Sequence, residues 1–283
     1  MCVHGYLKTK QKMTNDLNIS NRVCVITGGS GVLGGTIAKY LLKHDAKVVL
    51  LDFDQERLES KLIELKEITD DVMGYICDVL DKVKVEEISE KIISHWGKVD
   101  VLLNAAGGNM PGATIAEDQT IFDLNLDDFK KVSDLNLNGT LIPSLVFGKI
   151  MAKNGKGVII NYSSMAVFRT ITRVVGYSAS KAAVTNLTQW MATEFALKFG
   201  DKLRVNAIAP GFFIGNQNRK LLLNDDGSYT ERGNKIIANT PMKRFGEAEE
   251  LNGVIHWLIS DAASFVTGAV IPIDGGFNVF SGV

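Results

Sequence analysis

Residues 27–34 read TGGSGVLG, directly after the apolar run RVCVIT (22–27) and at the start of a helical pattern. Gly29, Gly31 and Gly34 satisfy the spacing G-x-G-x-x-G. A turn of this kind between a strand and a helix lets the backbone approach a pyrophosphate, whose charge then lies at the helix N-terminus. The alternative is a glycine-rich turn that merely joins a strand to a helix. Because the turn opens the first strand–helix unit of the chain, its position favours a dinucleotide site.

Short β-branched runs alternate with longer helical patterns along the whole chain. Apolar runs without polar alternation are typical of strands covered on both faces, and repeated strand–helix–strand units give a parallel sheet with helices on both sides. We therefore expect one α/β domain over residues 21–283, a doubly wound seven-stranded parallel sheet of the Rossmann type, after a polar N-terminal extension over residues 1–20. The predicted strands are 22–27, 47–52, 72–79, 99–105, 157–164, 204–210 and 268–276, and the predicted helices are 33–44, 55–67, 81–95, 126–152, 176–199 and 247–259.

The composition argues against several classes of function. The net charge is −1 and there is no basic block, so neither nucleic acid nor an anionic membrane surface is an expected partner. No apolar run reaches the roughly 18 residues that a membrane-spanning helix needs, and residues 1–20 lack the apolar core of a secretory signal. The cysteines are far apart and the histidines show no ligand spacing, so we expect reduced thiols, a cytoplasmic location and no metal.

Asp52 closes the second predicted strand. A carboxylate at this place can accept hydrogen bonds from the adenosine ribose, and it would repel a 2′-phosphate. Asp52 could instead be an ordinary strand-end acid, although Asp54 is the better placed cap for the following helix. No arginine or lysine lies in the turn or just after Asp52 to accept a phosphate, so NAD is expected in preference to NADP.

Tyr177 and Lys181 are one helical turn apart in GYSASKAAV, at the start of a long helical pattern. A tyrosine with its ordinary pKa of about 10 is a poor base at neutral pH. A neighbouring ammonium and a cationic nicotinamide would both favour the phenolate and lower that pKa. The alternative is a pair of side chains on the surface of a helix. This spacing alone does not decide between the two.

A series of further motifs appears in a fixed order along residues 21–276, and the chain resembles the short-chain dehydrogenase/reductase family in that order. The resemblance implies that Tyr177 is the general acid/base and that Lys181 lowers its pKa and holds the nicotinamide ribose. It also implies that Ser164 orients the substrate oxygen and that Asn136 holds a water in a proton relay to Lys181. The motifs are TGGSGVLG (27–34), CDV (77–79), NAAG (104–107), DLNLNG (134–139), Ser164, YSASK (177–181) and PG (210–211).

The same resemblance implies a set of cofactor contacts around the glycine-rich turn, the strand ends and the Pro-Gly pair. The chain departs from the family pattern at Val32, which replaces a glycine of the turn, at Ala105, which replaces an asparagine, and at Gly215, which replaces a threonine. In the family that threonine contacts the nicotinamide carboxamide, and Gly215 has no side chain to do so. The expected cofactor contacts are Gly28, Ser30, Gly31, Leu33, Gly34, Asp52, Asp78, Val79, Asn104, Ala105, Ala106, Gly107, Tyr177, Lys181, Pro210, Gly211 and Phe213.

Two predicted connections, 106–125 and 211–246, are too long for simple turns, and long loops beyond the strand ends are expected to be functional. The segments 104–109, 163–196, 209–247 and 275–283 resemble the D-mannonate oxidoreductase (fructuronate reductase) subgroup of the family. That implies an anionic sugar-acid substrate, with 211–246 as the substrate loop. An anionic polyol needs a cationic anchor and hydrogen-bonding side chains. The candidates are Asn109, Arg169, Arg173, Gln217, Asn218 and Arg219.

Two alternative functions stay open. A reductase of another ketone, such as a keto-gluconate or a 3-oxoacyl thioester, would use the same chemistry. A non-catalytic NAD-binding regulator would keep the fold without turnover, since fold alone never excludes this. The family resemblance also implies a homotetramer, but the apolar helices 126–152 and 176–199 fit burial against the sheet equally well.

Overall fold

The computed structural model describes residues 16–215 and 218–282, and its centre is a seven-stranded sheet. The strand order is β3-β2-β1-β4-β5-β6-β7, and every neighbouring pair is parallel. The strands are β1 Val23–Thr27, β2 Lys47–Asp52, β3 Val72–Ile76, β4 Val101–Asn104, β5 Gly157–Tyr162, β6 Leu203–Pro210 and β7 Val270–Ile273. The predicted fold class is confirmed. The strand order reverses between β1 and β4, and a crevice for ligands opens at such a switch point.

Helices cover both faces of the sheet. On one face the helices over residues 32–42, 55–66 and 252–259 pack against the side chains of Ile26, Leu50 and Leu103. On the other face the helices over residues 82–96, 139–154 and 175–199 pack against Val25 and Leu102. Burial on both faces explains why the strands are nearly continuous apolar runs. The α-helices are α1 Val32–Leu42, α2 Gln55–Lys66, α3 Lys82–Trp96, α4 Leu126–Ser133, α5 Gly139–Asn154, α6 Val175–Phe199, α7 Arg219–Leu222, α8 Glu231–Ala238 and α9 Asn252–Ile259.

The helix predicted over 126–152 is not continuous, and this prediction is corrected. A π-helical turn over Asp134–Asn138 separates α4 from α5. The amide nitrogen Nδ2 of Asn136 donates to the carbonyl of Val132 at 2.8 Å, and the hydroxyl of Thr140 donates to the carbonyl of Asn136 at 2.8 Å. Side chains therefore bond backbone carbonyls across this turn, and such competition is what opens a helix locally.

The observed boundaries of several other strands and helices differ from the predicted ones. The strand predicted over 72–79 ends at Ile76, and the one predicted over 268–276 covers only Val270–Ile273. The helix predicted over 247–259 begins with a 3₁₀ turn over Ala248–Leu251 before α9. The long connection 211–246 contains two short helices, α7 and α8, that the sequence pattern did not predict.

Residues 16–20, the last part of the predicted polar N-terminal extension, pack on the domain. Ile19 is buried, the carbonyl of Asp16 accepts from the amide of Ala262 at 2.9 Å, and the carbonyl of Leu17 bonds His256 Nε2 at 2.7 Å. The rest of the predicted extension, residues 1–15, lies outside the described residues. Across the described ranges, no helix is long and apolar enough to cross a membrane.

Candidate active site

The glycine-rich turn lies at the carboxyl end of β1, where the strand order reverses. Gly28 adopts a positive φ of 62°, and a Cβ added to it would lie 2.9 Å from the Cα of Ala106. A Cβ on Gly34 would run into the carbonyl of Gly28. Helix α1 follows from Gly31 with no acidic residue in its first turn. Such an uncapped, positively polarised helix end suits the phosphates of a dinucleotide, and Val32 starts the helix with an exposed side chain.

Asp52 is the acidic group of this end of the sheet. Its carboxylate is buried and accepts hydrogen bonds from the amide of Ser30 at 3.0 Å and from the hydroxyl of Ser30 at 2.6 Å. The amide of Asp54 also donates to it at 3.2 Å. The side chain of Asp54 caps helix α2 by accepting from the amide of Arg57. The two acids thus have separate positions, and Asp52 is the one that touches the glycine-rich turn.

The predicted cofactor contacts that follow β3 and β4 divide between exposed and buried groups. Asp78 is exposed and bonds the amide of Leu80, whereas Val79 is buried. Asn104 is buried too, and its amide nitrogen donates to Ser144 Oγ and to Asn161 Oδ1, both at 2.8 Å. The side chain of Asn104 therefore bonds α5 and β5 inside the protein. Its Oδ1 has no partner there among the described residues.

Ser164, Tyr177 and Lys181 come together at the carboxyl end of β5. Lys181 is buried, and its Nζ donates to the carbonyl of Tyr162 at 2.7 Å. The same Nζ lies 5.6 Å from the centroid of the Tyr177 ring. Ser164 caps a 3₁₀ turn by accepting from the amide of Ala166, and its hydroxyl also bonds the Tyr177 phenol. One helix and one strand end thus bring the three predicted side chains into one group.

The pKa values of this group are set mainly by burial. Burial raises the pKa of the Tyr177 phenol, and the hydrogen bond from Ser164 acts in the opposite direction. Burial lowers the pKa of Lys181 to about 8. From the sequence we expected the Lys181 ammonium to lower the pKa of Tyr177. In the protein alone, the effect of burial is larger and the pKa is raised. In a site of low polarity, both groups favour their neutral forms.

Asn136 and Gly107 complete the pocket beside Lys181. Asn136 is buried, with Nδ2 donating to the carbonyl of Gly108 at 2.7 Å. A Cβ added to Gly107 would lie 2.7 Å from Asn136 Oδ1 and 3.2 Å from Lys181 Nζ. Both polar groups therefore lie against one face of Gly107, where only a glycine leaves room for them.

The end of β6 carries the other predicted cofactor contacts. The amide of Gly211 donates to the carbonyl of Ile273 at 2.9 Å, directly after Pro210. The ring of Phe213 is buried, and its backbone forms an isolated parallel bridge with Gly246. Its side chain packs in the main core with Ile208 and Leu251. The amide of Gly215 is bonded to Asn218 Oδ1 at 2.8 Å.

Most of the predicted substrate groups have partners within the protein. Arg169 donates to two carbonyls of the C-terminal segment, those of Asn278 and Phe280. Arg173 donates to the carbonyl of Ile115 at 2.8 Å and to Glu117 at 3.2 Å. Asn218 holds its own turn, Arg219 is exposed on α7, Asn109 donates to Thr114 Oγ1 at 2.6 Å, and Gln217 lies outside the described residues.

Sequence reasoning missed Gly108, which exchanges hydrogen bonds with the side chain of Asn136 in both directions. Its sequence signal is its place directly after the NAAG motif (104–107).

The comparisons with known proteins agree with this geometry. Residues 30–278 match a family model described as enoyl-(acyl carrier protein) reductase. The chain is 43% identical over 275 residues to a Bacillus subtilis (strain 168) protein named "Uncharacterized oxidoreductase UxuB", covering 94% of this chain and 98% of that one. It is 32% identical to the 3-oxoacyl-[acyl-carrier-protein] reductase FabG of Thermotoga maritima, covering 93% of this chain and all of that one.

A solved structure is similar over the same range. The crystal structure of a provisionally named D-mannonate oxidoreductase from Haemophilus influenza, with bound NAD, superposes with a TM-score of 0.86 and 42% identity. The alignment covers 94% of this chain and 98% of that one. The fold, the site and these relatives together define a nicotinamide-dependent oxidoreductase. The chain belongs to the short-chain dehydrogenase/reductase family.

Proposed function

We propose that this oxidoreductase interconverts the hydroxyl and ketone forms of a sugar acid with NAD, and that D-mannonate and D-fructuronate are its substrate pair. The observation that carries the oxidoreductase chemistry is the group formed by Ser164, Tyr177 and Lys181 at the end of β5. The substrate class is supported by the NAD-bound relative, whose provisional name is D-mannonate oxidoreductase.

The glycine-rich turn and Asp52 fit a dinucleotide. In the proposed complex the N-terminus of α1 holds the pyrophosphate and Asp52 accepts from the adenosine ribose, next to the Ser30 hydroxyl that already bonds it. When bound, the nicotinamide supplies or accepts the hydride. Asp52 also disfavours NADP, because its buried carboxylate would repel the 2′-phosphate of that cofactor. NAD is therefore the proposed cofactor.

Tyr177 is the proposed proton donor and acceptor. Because burial raises its pKa, the phenol keeps its proton at neutral pH and can give it to a carbonyl oxygen. For alcohol oxidation, the phenol oxygen of Tyr177 must first lose its proton, so the rate of oxidation should increase as the pH rises. Ser164 holds the substrate oxygen at the phenol, and the Lys181 ammonium stabilises the phenolate.

Two broader features belong to the proposal. Leu145, Trp190 and Leu197 are exposed on α5 and α6, and a homotetramer would cover them. Cys24 and Cys77 are free and buried, which suits the reducing conditions of the cytoplasm.

A substrate panel tests the proposal. The purified protein is mixed with NAD and, separately, D-mannonate, other hexonates and 3-hydroxyacyl thioesters, and the absorbance of reduced nicotinamide is followed. The ketone direction is run with NADH and D-fructuronate, keto-gluconates and 3-oxoacyl thioesters. We expect the highest kcat/KM for D-mannonate and D-fructuronate. A higher kcat/KM for a keto-gluconate or an acyl thioester would identify that compound as the substrate instead. No change in absorbance with any compound would favour a non-catalytic regulator.

A further inference from the structure

The C-terminal segment after β7 is bonded to the turn that follows the catalytic serine. The carbonyl of Met165, the residue after Ser164, accepts from the amide of Arg169 at 3.2 Å. Arg169 therefore lies one helical turn, about 5–6 Å, from Met165. Its side chain extends to the C-terminal segment, where Nε donates to the carbonyl of Asn278 at 2.7 Å and Nη2 donates to the carbonyl of Phe280 at 3.1 Å.

A cavity of about 450 Å³ lies between this turn and the C-terminal segment. Sites for small molecules usually measure roughly 300–1,000 Å³ and combine aromatic walls with a few polar groups. This cavity has three phenyl rings, two neutral polar side chains and one guanidinium. The residues that line it are Phe168, Arg169, Thr170, Asn239, Phe277 and Phe280.

Arg169 is the charged group of this cavity. No acidic residue lines the cavity. Within residues 16–215 and 218–282, no carboxylate pairs with Arg169, and its Nη1 has no hydrogen-bond partner. Because the two carbonyl bonds already hold the guanidinium, it has little freedom left to lose when an anion binds. A carboxylate is the anion that matches a guanidinium most closely in shape.

Two neutral side chains can bind hydroxyl groups beside this cation. The hydroxyl of Thr170 forms no hydrogen bond in the described part of the chain, and Thr170 is exposed at the cavity wall. Asn239 donates from Nδ2 to the carbonyl of Lys235 at 2.8 Å, which leaves Oδ1 to accept from a ligand. A cation, a hydroxyl and an amide oxygen together suit a hydroxylated acid.

A second cavity, of about 350 Å³, adjoins β7 and suits an anion less well. Its guanidinium belongs to Arg244, which donates to both carboxylate oxygens of Glu250 at 2.7 and 2.6 Å. Asp274 also lines this second cavity. Two carboxylates and one guanidinium leave a net negative charge, and this charge repels an anionic substrate.

We propose that the cavity at Arg169 binds the carboxylate end of the substrate, with Thr170 and Asn239 on the neighbouring hydroxyl groups. This inference rests on the proposed function, because it requires a sugar acid whose reacting carbon lies at Ser164 and Tyr177. In D-mannonate, several carbons separate the carboxylate from the hydroxyl that becomes the ketone of D-fructuronate. The helical turn between Ser164 and Arg169 provides a matching separation between the two ends of the site.

Binding and kinetics of the full chain test this assignment. Dissociation constants are measured by calorimetry on the NADH-saturated protein, where D-mannonate is not oxidised. D-Mannitol, which carries a CH₂OH group in place of the carboxylate, is the neutral probe. For Arg169→Gln we expect the KM and the dissociation constant of D-mannonate to rise by about tenfold or more, as for loss of a charged hydrogen bond. The dissociation constants of D-mannitol and of NADH should barely change.

Two further variants complete this test. Thr170→Val removes only a hydroxyl, so it should raise the dissociation constant of D-mannonate by about threefold to tenfold without affecting the fold. Lys235→Gln removes one charge from an exposed position on α8, where Lys235 pairs with Glu231, and it should behave as the parent.

The outcomes separate this assignment from the proposed function. If the parent oxidises D-mannonate and both Arg169→Gln and Thr170→Val leave its KM unchanged, the cavity assignment is wrong and the proposed function stands. If Arg169→Gln weakens D-mannonate and D-mannitol equally, Arg169 only holds the C-terminal segment and the anchor is wrong. An equal loss in Lys235→Gln would show a general charge effect and would also overturn the anchor. If the parent neither binds nor oxidises any hexonate, both proposals fail together.

Discussion

The side chain of Asn136 and the backbone of Gly108 bond each other in both directions. Asn136 Nδ2 donates to the Gly108 carbonyl at 2.7 Å, and Asn136 Oδ1 accepts from the Gly108 amide at 3.1 Å. The same Nδ2 reaches Val132 within the π-helical turn. One amide therefore fixes both the loop after β4 and the break between α4 and α5. Because Lys181 lies beside Asn136 at Gly107, this pairing also sets one wall of the candidate active site.

Replacing Asn136 by alanine should loosen this wall. The backbone groups of Gly108 and the carbonyl of Val132 would lose their partner in a buried place, which costs about 1–3 kcal/mol of unfolding free energy. We also expect a lower kcat with a smaller change in NAD affinity. Asn138→Ala is the matched control, since among the residues that the structure describes that side chain bonds only Asp134, at 2.9 Å. Denaturant unfolding and kinetics of both variants check this, and equal losses in the two variants would contradict it.

Gly107→Ala tests the close packing around Lys181. The added Cβ would lie 2.7 Å from Asn136 Oδ1 and 3.2 Å from Lys181 Nζ, so one of these groups must move. We expect a clear fall in kcat. Gly253→Ala is the control, because a Cβ there meets nothing within 4 Å and alanine suits the helix better by about 0.5–1 kcal/mol. A Gly107→Ala protein with parental kcat would show that the geometry of this wall does not matter for turnover.

Asp52→Ala tests cofactor choice. Removing the carboxylate removes the repulsion of a 2′-phosphate, and it also removes the hydrogen-bond acceptor for the adenosine ribose. The ratio of kcat/KM with NAD to kcat/KM with NADP should therefore fall by about tenfold or more. The amide and hydroxyl of Ser30 would also lose their acceptor, with some loss of stability. Asp54→Ala removes the cap of α2, about 1 kcal/mol, together with an ion pair to Arg57, and should leave the ratio unchanged. A ratio unchanged in Asp52→Ala would remove the basis for NAD preference.

Lys181→Met should make the cofactor-free protein more stable and inactive. The pKa of Lys181 is lowered from 10.5 to about 8, so at neutral pH the folded state carries a buried charge at a cost. Between those two values the unfolded chain holds a proton that the folded protein has released, so this cost decreases as the pH rises. Near pH 7 we expect Lys181→Met to be about 1–3 kcal/mol more stable than the parent, and the lost hydrogen bond to Tyr162 reduces this gain. Above pH 10.5 we expect little difference in stability between the two proteins. Urea unfolding across this range measures it, and a difference that grows with pH would have the wrong sign.

The sequence predicted the sheet and the site motifs because both are local patterns. The five inner strands are nearly unbroken runs of buried residues, whereas the edge strands β3 and β7 are only partly buried. The residues that define the glycine-rich turn are adjacent in the sequence. The spacing of Tyr177 and Lys181 likewise fixes their common helix face.

The remaining features depend on contacts between distant segments. The π-helical turn arises because Asn136 meets Gly108 from another loop, which helical periodicity does not encode. Arg169 was predicted as a substrate group, yet its partners are carbonyls of the C-terminal segment. The burial that raises the pKa of Tyr177 is also invisible in the spacing, which shows only the nearby ammonium.

The most direct test is D-mannonate oxidation by a Tyr177→Phe protein, with Tyr40→Phe as the matched control. The Tyr40 hydroxyl bonds His256 and belongs to the packing between α1 and α9. We predict that Tyr177→Phe lowers kcat by about 10²–10⁴-fold, the range for loss of a general acid/base, with NAD still bound, while Tyr40→Phe keeps the parental rate and its rise with pH. Turnover by Tyr177→Phe at the parental rate would contradict the assignment of the phenol as the proton-transfer group.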